Sequence, residues 1–196
     1  ASFSWICVIF YFIGLMMFLI PVIPGIPVYL SAGIILVHVA RTEPWLRFEG
    51  GIVFAVAECM VLKLHAHIMQ QKLFGEFLGH YMWIQWAVGV HKVGIKAIKA
   101  ILLEPGLKLK KVIILCGGPD WPTSVLTGIL HLSTCQMLLG MLPVIVLIIP
   151  CVVCGAFFLD SDLSGVTSIA MAIMTVFQGG AMLAALLIVL YDVDHN

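Results

Sequence analysis

Charge is what this sequence has least of. Ten Lys/Arg and ten Asp/Glu make up 10% of its 196 residues and cancel to a net charge of zero. A soluble domain carries roughly 25% charged residues. With a mean hydropathy of +1.15, the chain has too little polar surface to dissolve in water. The expected class is therefore an all-α integral membrane protein forming a single membrane domain. Zero net charge leaves no attraction for nucleic acid. Also missing are a nucleophile with a base, a P-loop and a zinc motif, so no enzyme, cofactor or metal site is expected. No basic segment precedes "FSWICVIFYFIGLMMFLI", which argues against a secretory leader. An endomembrane or organellar membrane of a eukaryote is expected rather than secretion.

Six cysteines, at 7, 59, 116, 135, 151 and 154, lie mostly in apolar runs. The "CVVC" at 151–154 has the spacing of a metal or redox pair but lacks nearby polar partners. The cysteines read as small apolar packers.

Long uninterrupted hydrophobic runs are scarcer than the composition suggests. Only Thr134–Leu159 and Leu163–Tyr191 comfortably exceed the ~20 residues that span a bilayer core. Gly51–Leu64, containing Glu58, is a third crossing run, which makes about three spanning helices. Phe3–Ile20 and Val28–Ala40 flank "PVIPGIP". Lys111–Cys116 and Thr123–Leu132 flank "GGPDWP". The arms around "GGPDWP" are too short to cross: eleven helical residues reach roughly 16 Å, about half the core. A chain break at mid-depth must be buried in protein or line a wet cavity. Each pair thus predicts a re-entrant hairpin, with Pro21–Pro27 and Gly117–Pro122 non-helical.

The two hairpins share a pattern. "PVYLSAGII" from Pro27 matches "PTSVLTGIL" from Pro122 in its Pro, then Gly33 or Gly128 six positions on, then Ile. Pro24 and Pro119 stand three residues upstream, so the offset is 95 throughout. Paired proline-interrupted segments point to an inverted repeat with the site at the repeat interface; coincidental Gly/Pro usage is the alternative. The organisation expected is a first half over 3–64, a polar amphipathic connector over 65–110 and a second half over 111–191. From Lys63 to Lys111 the chain carries eight of its ten Lys/Arg residues, which predicts a cytoplasmic-type face. Arg41, Arg47, Glu43, Glu49, Asp160 and Asp162 belong to the other. In "GVHKVGIKAIKAILL", Lys92, Lys96 and Lys99 fall within roughly a 60° stripe, while Val90, Val93, Ile98 and Ile101 face elsewhere and Leu103 breaks the pattern. This segment is expected along the membrane interface.

"PVIPGIPVYLSAG" and "GLKLKKVIILCGGPDWPTSVLTGIL…LLGMLPV" resemble the two signatures of the VTT-domain family, also called DedA or SNARE-associated Golgi proteins. "QQKLFGEFLG" at 70–79 is similar to the short polar exit after the family's first half. The resemblance covers roughly Pro21 to Val144 and extends over the final helix. It implies two facing re-entrant hairpins with a cavity between them, and lipid scrambling or flipping, with membrane lipids as partners. It places the re-entrant turns at Pro21, Pro24, Gly25, Pro27 and Gly33, and at Gly117, Gly118, Pro119, Pro122 and Gly128. Two departures remove charges: Cys116-Gly117-Gly118 stands where the family usually has an arginine, and Gly25-Ile26 where many members carry an acid.

Two carboxylates are the candidates for lipid or proton handling. An intramembrane acid is a functional hypothesis by default. Asp120 sits at the second turn, and capping a helix start near Thr123 is its other reading. Glu58 either relays a proton or pairs with Lys63 or a hydroxyl. His65 and His67 are two apart, which a helix does not place on one face. His38 and His131 read as interfacial residues at the arm ends. The alternative to transport is an accessory subunit of a larger assembly, photosynthetic or respiratory for example. Gly180 and Ala184 in "GGAMLAA" supply the small-xxx-small spacing for a partner helix.

Overall fold

The computed structural model describes residues 2–21, 23–158 and 164–195. Asp160 and Asp162 lie outside the described residues. Every element is a helix: α1 (Phe3–Leu19), α2 (Gly25–Ala32), α3 (His38–Ala40), α4 (Arg47–Met69), α5 (Met82–Val88), α6 (Val93–Leu103), α7 (Leu109–Gly117), α8 (Asp120–Ile129), α9 (Thr134–Met141), α10 (Ile145–Phe157) and α11 (Ser164–His195). Wider π-helical turns at Gly33–Val37 and Gln70–Phe77 extend α2 and α4, and a 3₁₀ turn at Leu142–Val144 joins α9 to α10.

Among the described residues, three helical stretches are long and apolar enough to cross a membrane: Arg47–Phe77, Thr134–Phe157 and Thr167–Asp194. The first outruns its apolar segment at both ends. Gly51–Leu64 is its middle, and His65 through Phe77, expected in the polar connector, continue the helix. The remaining helices are shorter. α7 and α8, at 9 and 10 residues, reach only about 14–15 Å each.

The breaks are narrower than the prolines suggest, which corrects the non-helical expectation for Pro21–Pro27 and Gly117–Pro122. Gly25–Pro27 form the first turn of α2. Gly117 ends α7, only Gly118 and Pro119 are non-helical, and Asp120–Pro122 open α8. The physical reason is shared. Pro24 and Pro119 are the N-caps, and Pro27 and Pro122 are the third helical residues. Backbone N–H groups of the first turn have no intrahelical acceptor, so proline there removes no bond. In α8 the first ladder bond runs from Thr123 N–H to Pro119 O at 2.9 Å. The Pro-x-x-Pro spacing starts helices as well as stopping them.

The chain folds into two compact units, 1–63 with 144–177, and 64–143 with 178–196. In the first, α1 packs on α4 where Gly14 meets Leu62, and α2 crosses α10. A Cβ on Gly33 would lie 2.1 Å from Val152 O, and one on Gly155 2.2 Å from Leu30 O. No side chain fits either position. The outward stripe of α1 is also apolar: Trp5, Ile9, Phe12, Ile13 and Met16 are all exposed. Apolar residues on both faces suit a lipid environment.

In the second unit, α8 lies on the π-helical extension of α4. A Cβ on Gly128 would fall 2.0 Å from Gln71 O, and one on Gly75 2.5 Å from Val125 O. Around this crossing lie Ile84, Ile98, Ile101, Ile114, Trp121 and Leu126. α6 shows its lysine face outward and buries Ile95, Ile98, Ile101 and Leu102. Val93, expected away from the lysine stripe, is 62% exposed, and so is about half of Leu103.

Candidate functional site

The start of α8 sets polar side chains beside a buried apolar cluster. Asp120 is the first residue of α8 and half-buried. The cap position belongs to Pro119, whose own side chain makes no cap hydrogen bond. In the first turn, Asp120 places a carboxyl where the helix dipole is positive, a favourable position. Behind it, Thr123, Ser124 and Thr127 form a buried face of α8.

That face meets a polar stripe on the extended α4. His67 Nδ1 and Ser124 Oγ are 2.8 Å apart and buried. One helical turn on, Gln71 Nε2 donates to Leu132 O at 2.7 Å. Thr127 Oγ1 donates to Ser124 O at 2.6 Å. Trp121 Nε1, Thr123 Oγ1 and Gln71 Oε1 are buried with no hydrogen-bond partner among the described residues. The Trp121 N–H and the Thr123 hydroxyl can each donate to a water, and Gln71 Oε1 can accept from one, at no cost in existing bonds.

Sequence reasoning missed this stripe. Its signal was present: His67 and Gln71 are four apart, one helical turn, as are Thr123 and Thr127. Attention to "LHAH" as a pair obscured it. His65 is exposed and His67 buried, so the two do take opposite sides of the helix.

Glu58 faces a different environment. It lines an open cavity of about 420 Å³ with Cys7, Tyr11, Phe12, Phe54 and Val61. The Cys7 thiol and Tyr11 ring are its polar neighbours. No hydrogen bond from Lys63 reaches either carboxylate oxygen among the described residues, and the Cys7 thiol is the group placed to bond one of them. The Lys63 ammonium lies 5.1 Å from the centre of the Phe18 ring, a cation–π distance.

Other expected residues have mainly structural surroundings. Cys116 Sγ is 3.6 Å from Gly140 O, so the thiol touches α9. Gly117 lets the backbone of α7 approach α11, since a Cβ there would sit 2.3 Å from Ala181 O. His131 has φ 51° and closes α8. Its N–H bonds to Gly128 O at 2.9 Å, and the Leu132 N–H bonds to Thr127 O at 3.0 Å, the paired bonds of a Schellman ending. His38 is exposed after the first π-helical turn. Outside the apolar helices, Lys110 and Lys108 hydrogen-bond to Glu104 and hold its carboxyl below the usual range.

No protein-family model, no curated protein and no solved structure matches the chain.

Proposed function

We propose that the protein moves lipids across the bilayer as a VTT/DedA-like scramblase or flippase-type transporter. One observation carries the reading: the two compact units are built alike. Each contains a short helix, a proline-capped break, and a second short helix. Each second helix crosses a long apolar helix through a glycine pair, Gly33 with Gly155 and Gly128 with Gly75. Short arms joined at a break are the form re-entrant hairpins take, and their recurrence supports an inverted repeat. Such breaks bring unpaired backbone groups and short polar side chains into the core, thinning the apolar barrier a headgroup must cross. Asp120 and Glu58 are the charged handles, for a headgroup or for a coupled proton. The lysine-rich segment draws anionic headgroups to the surface, at about 1 kcal/mol per basic residue.

Reconstitution into liposomes with a fluorescent phospholipid tests this. Wild type should expose inner-leaflet lipid to an external quencher faster than protein-free vesicles do. Asp120→Asn should slow that exchange while the helical content is kept. Wild-type vesicles that exchange no faster than empty ones would reject transport.

One feature favours the alternative, an accessory subunit of a larger membrane assembly. A Cβ on Gly179 or Gly180 would meet nothing within 4 Å, so this face of α11 is open to a partner helix. Under that reading Gly180→Leu releases the partner on native purification and leaves the isolated chain folded.

A further inference from the structure

Beside the second break, within the second unit, lies a groove of about 420 Å³. One wall is α6, through Gly94, Ile95 and Ile98. The other is α11, from Gln178 to Val189. The end is closed by Gly118 and Pro119. Its lining is apolar except at the extremities, where Lys92 and Gln178 stand. Lys92 is the exposed N-cap of α6, and no carboxylate is paired with it among the described residues.

The dimensions suggest an occupant. From Val189 to Gln178, α11 descends eleven residues, about 16 Å. That is about half the ~30 Å hydrocarbon core, the depth of one leaflet. The groove therefore begins at a basic residue on the amphipathic α6 and ends at the chain break, one leaflet deep. An apolar slot whose lining carries one cation, Lys92, matches an amphiphile with one anionic head.

We propose that this groove is a fixed seat for one acyl chain of an anionic phospholipid, with its phosphate held by Lys92 and its chain end against the Gly118–Pro119 break. The seat goes beyond transport. A resident lipid completes the packing of α11 on α6 whether or not the protein moves lipid. It also gives Gly94 a role: a Cβ there has only Val189 within reach, at 3.8 Å, so the missing side chain leaves the slot open.

Native mass spectrometry of the purified chain tests the proposal, with phosphatidylglycerol and phosphatidylcholine added separately at equal concentration. The expected result is a single retained phosphatidylglycerol with clear preference over phosphatidylcholine. Lys92→Gln should weaken phosphatidylglycerol about fivefold and bring it close to phosphatidylcholine. Gly94→Phe should abolish the single retained lipid; Leu186→Trp, from the opposite wall, is the second blocker. Gly94→Ala serves as the control and should keep the lipid. Circular dichroism and gel filtration identify any blocker that fails to fold, and the conclusion is then taken from the other and from Lys92→Gln. Equal retention of both lipids, many adducts without a preferred single one, or a folded blocker that still holds one lipid would each overturn the assignment.

Discussion

Ser124 is the residue through which the polar face of α8 is tied to α4. Ser124→Ala removes only the hydroxyl that lies 2.8 Å from His67 Nδ1 in a buried site. A loss of about 1–3 kcal/mol is expected, read as a lower unfolding temperature in detergent. His131 poses the opposite case. A non-glycine residue at φ 51° carries steric cost, so His131→Gly should raise stability by about 1 kcal/mol. If it lowers stability instead, the imidazole makes a contact that outweighs the strain. Glu104 sets a pH dependence. Lys110 and then Lys108 depress its folded pKa, so its contribution is present above the unfolded value, about 4.3, and is lost as pH falls through the folded one. Wild type should therefore lose stability over Glu104→Gln as pH is lowered below about 4. Parallel melting curves against pH check this, and curves with identical slopes would remove Glu104 from the account.

At the scale of the helix, the crossings tolerate no side chain. Gly128→Ala puts a methyl 2.0 Å from the backbone oxygen of Gln71, and Gly33→Ala one 2.1 Å from that of Val152. The obstructing atoms are backbone and cannot rotate away, so whole helices must separate. A cost at or above the ~1–3 kcal/mol of ordinary overpacking is expected for each. Gly180→Ala, facing open space, should be neutral or slightly stabilising from helix propensity alone. Unfolding temperatures of the three variants rank the crossings against the open face. These contacts were only half legible: the glycines stand out in the repeat, but their partners, Gly75 and Gly155, follow from no local pattern. Two helices choose each other through a surface that neither encodes alone.

For the molecule as a whole, the distribution of charge predicts an orientation in the membrane. Eight of ten basic residues fall between Lys63 and Lys111. Lys96→Cys in an otherwise cysteine-free chain should then react with a membrane-impermeant thiol reagent only from the cytoplasmic side of sealed vesicles. Labelling from the outer side would reverse the orientation. What the sequence by itself determined is the helical class, the helices long enough to cross, and the two proline breaks. Composition limits the solvent the chain can live in, and proline limits where a helix can start, both without reference to distant residues. The tertiary structure alone decided how the polar residues are shared out. His67 and Gln71 looked like part of a polar connector, yet they are buried because the helix runs on to Phe77 and meets α8. Glu58 looked ready for Lys63, yet it opens onto a cavity beside Cys7 and Tyr11. Which polar groups find each other depends on rotation about two helix axes and on the close approach glycine permits, and neither is written in any single stretch of chain.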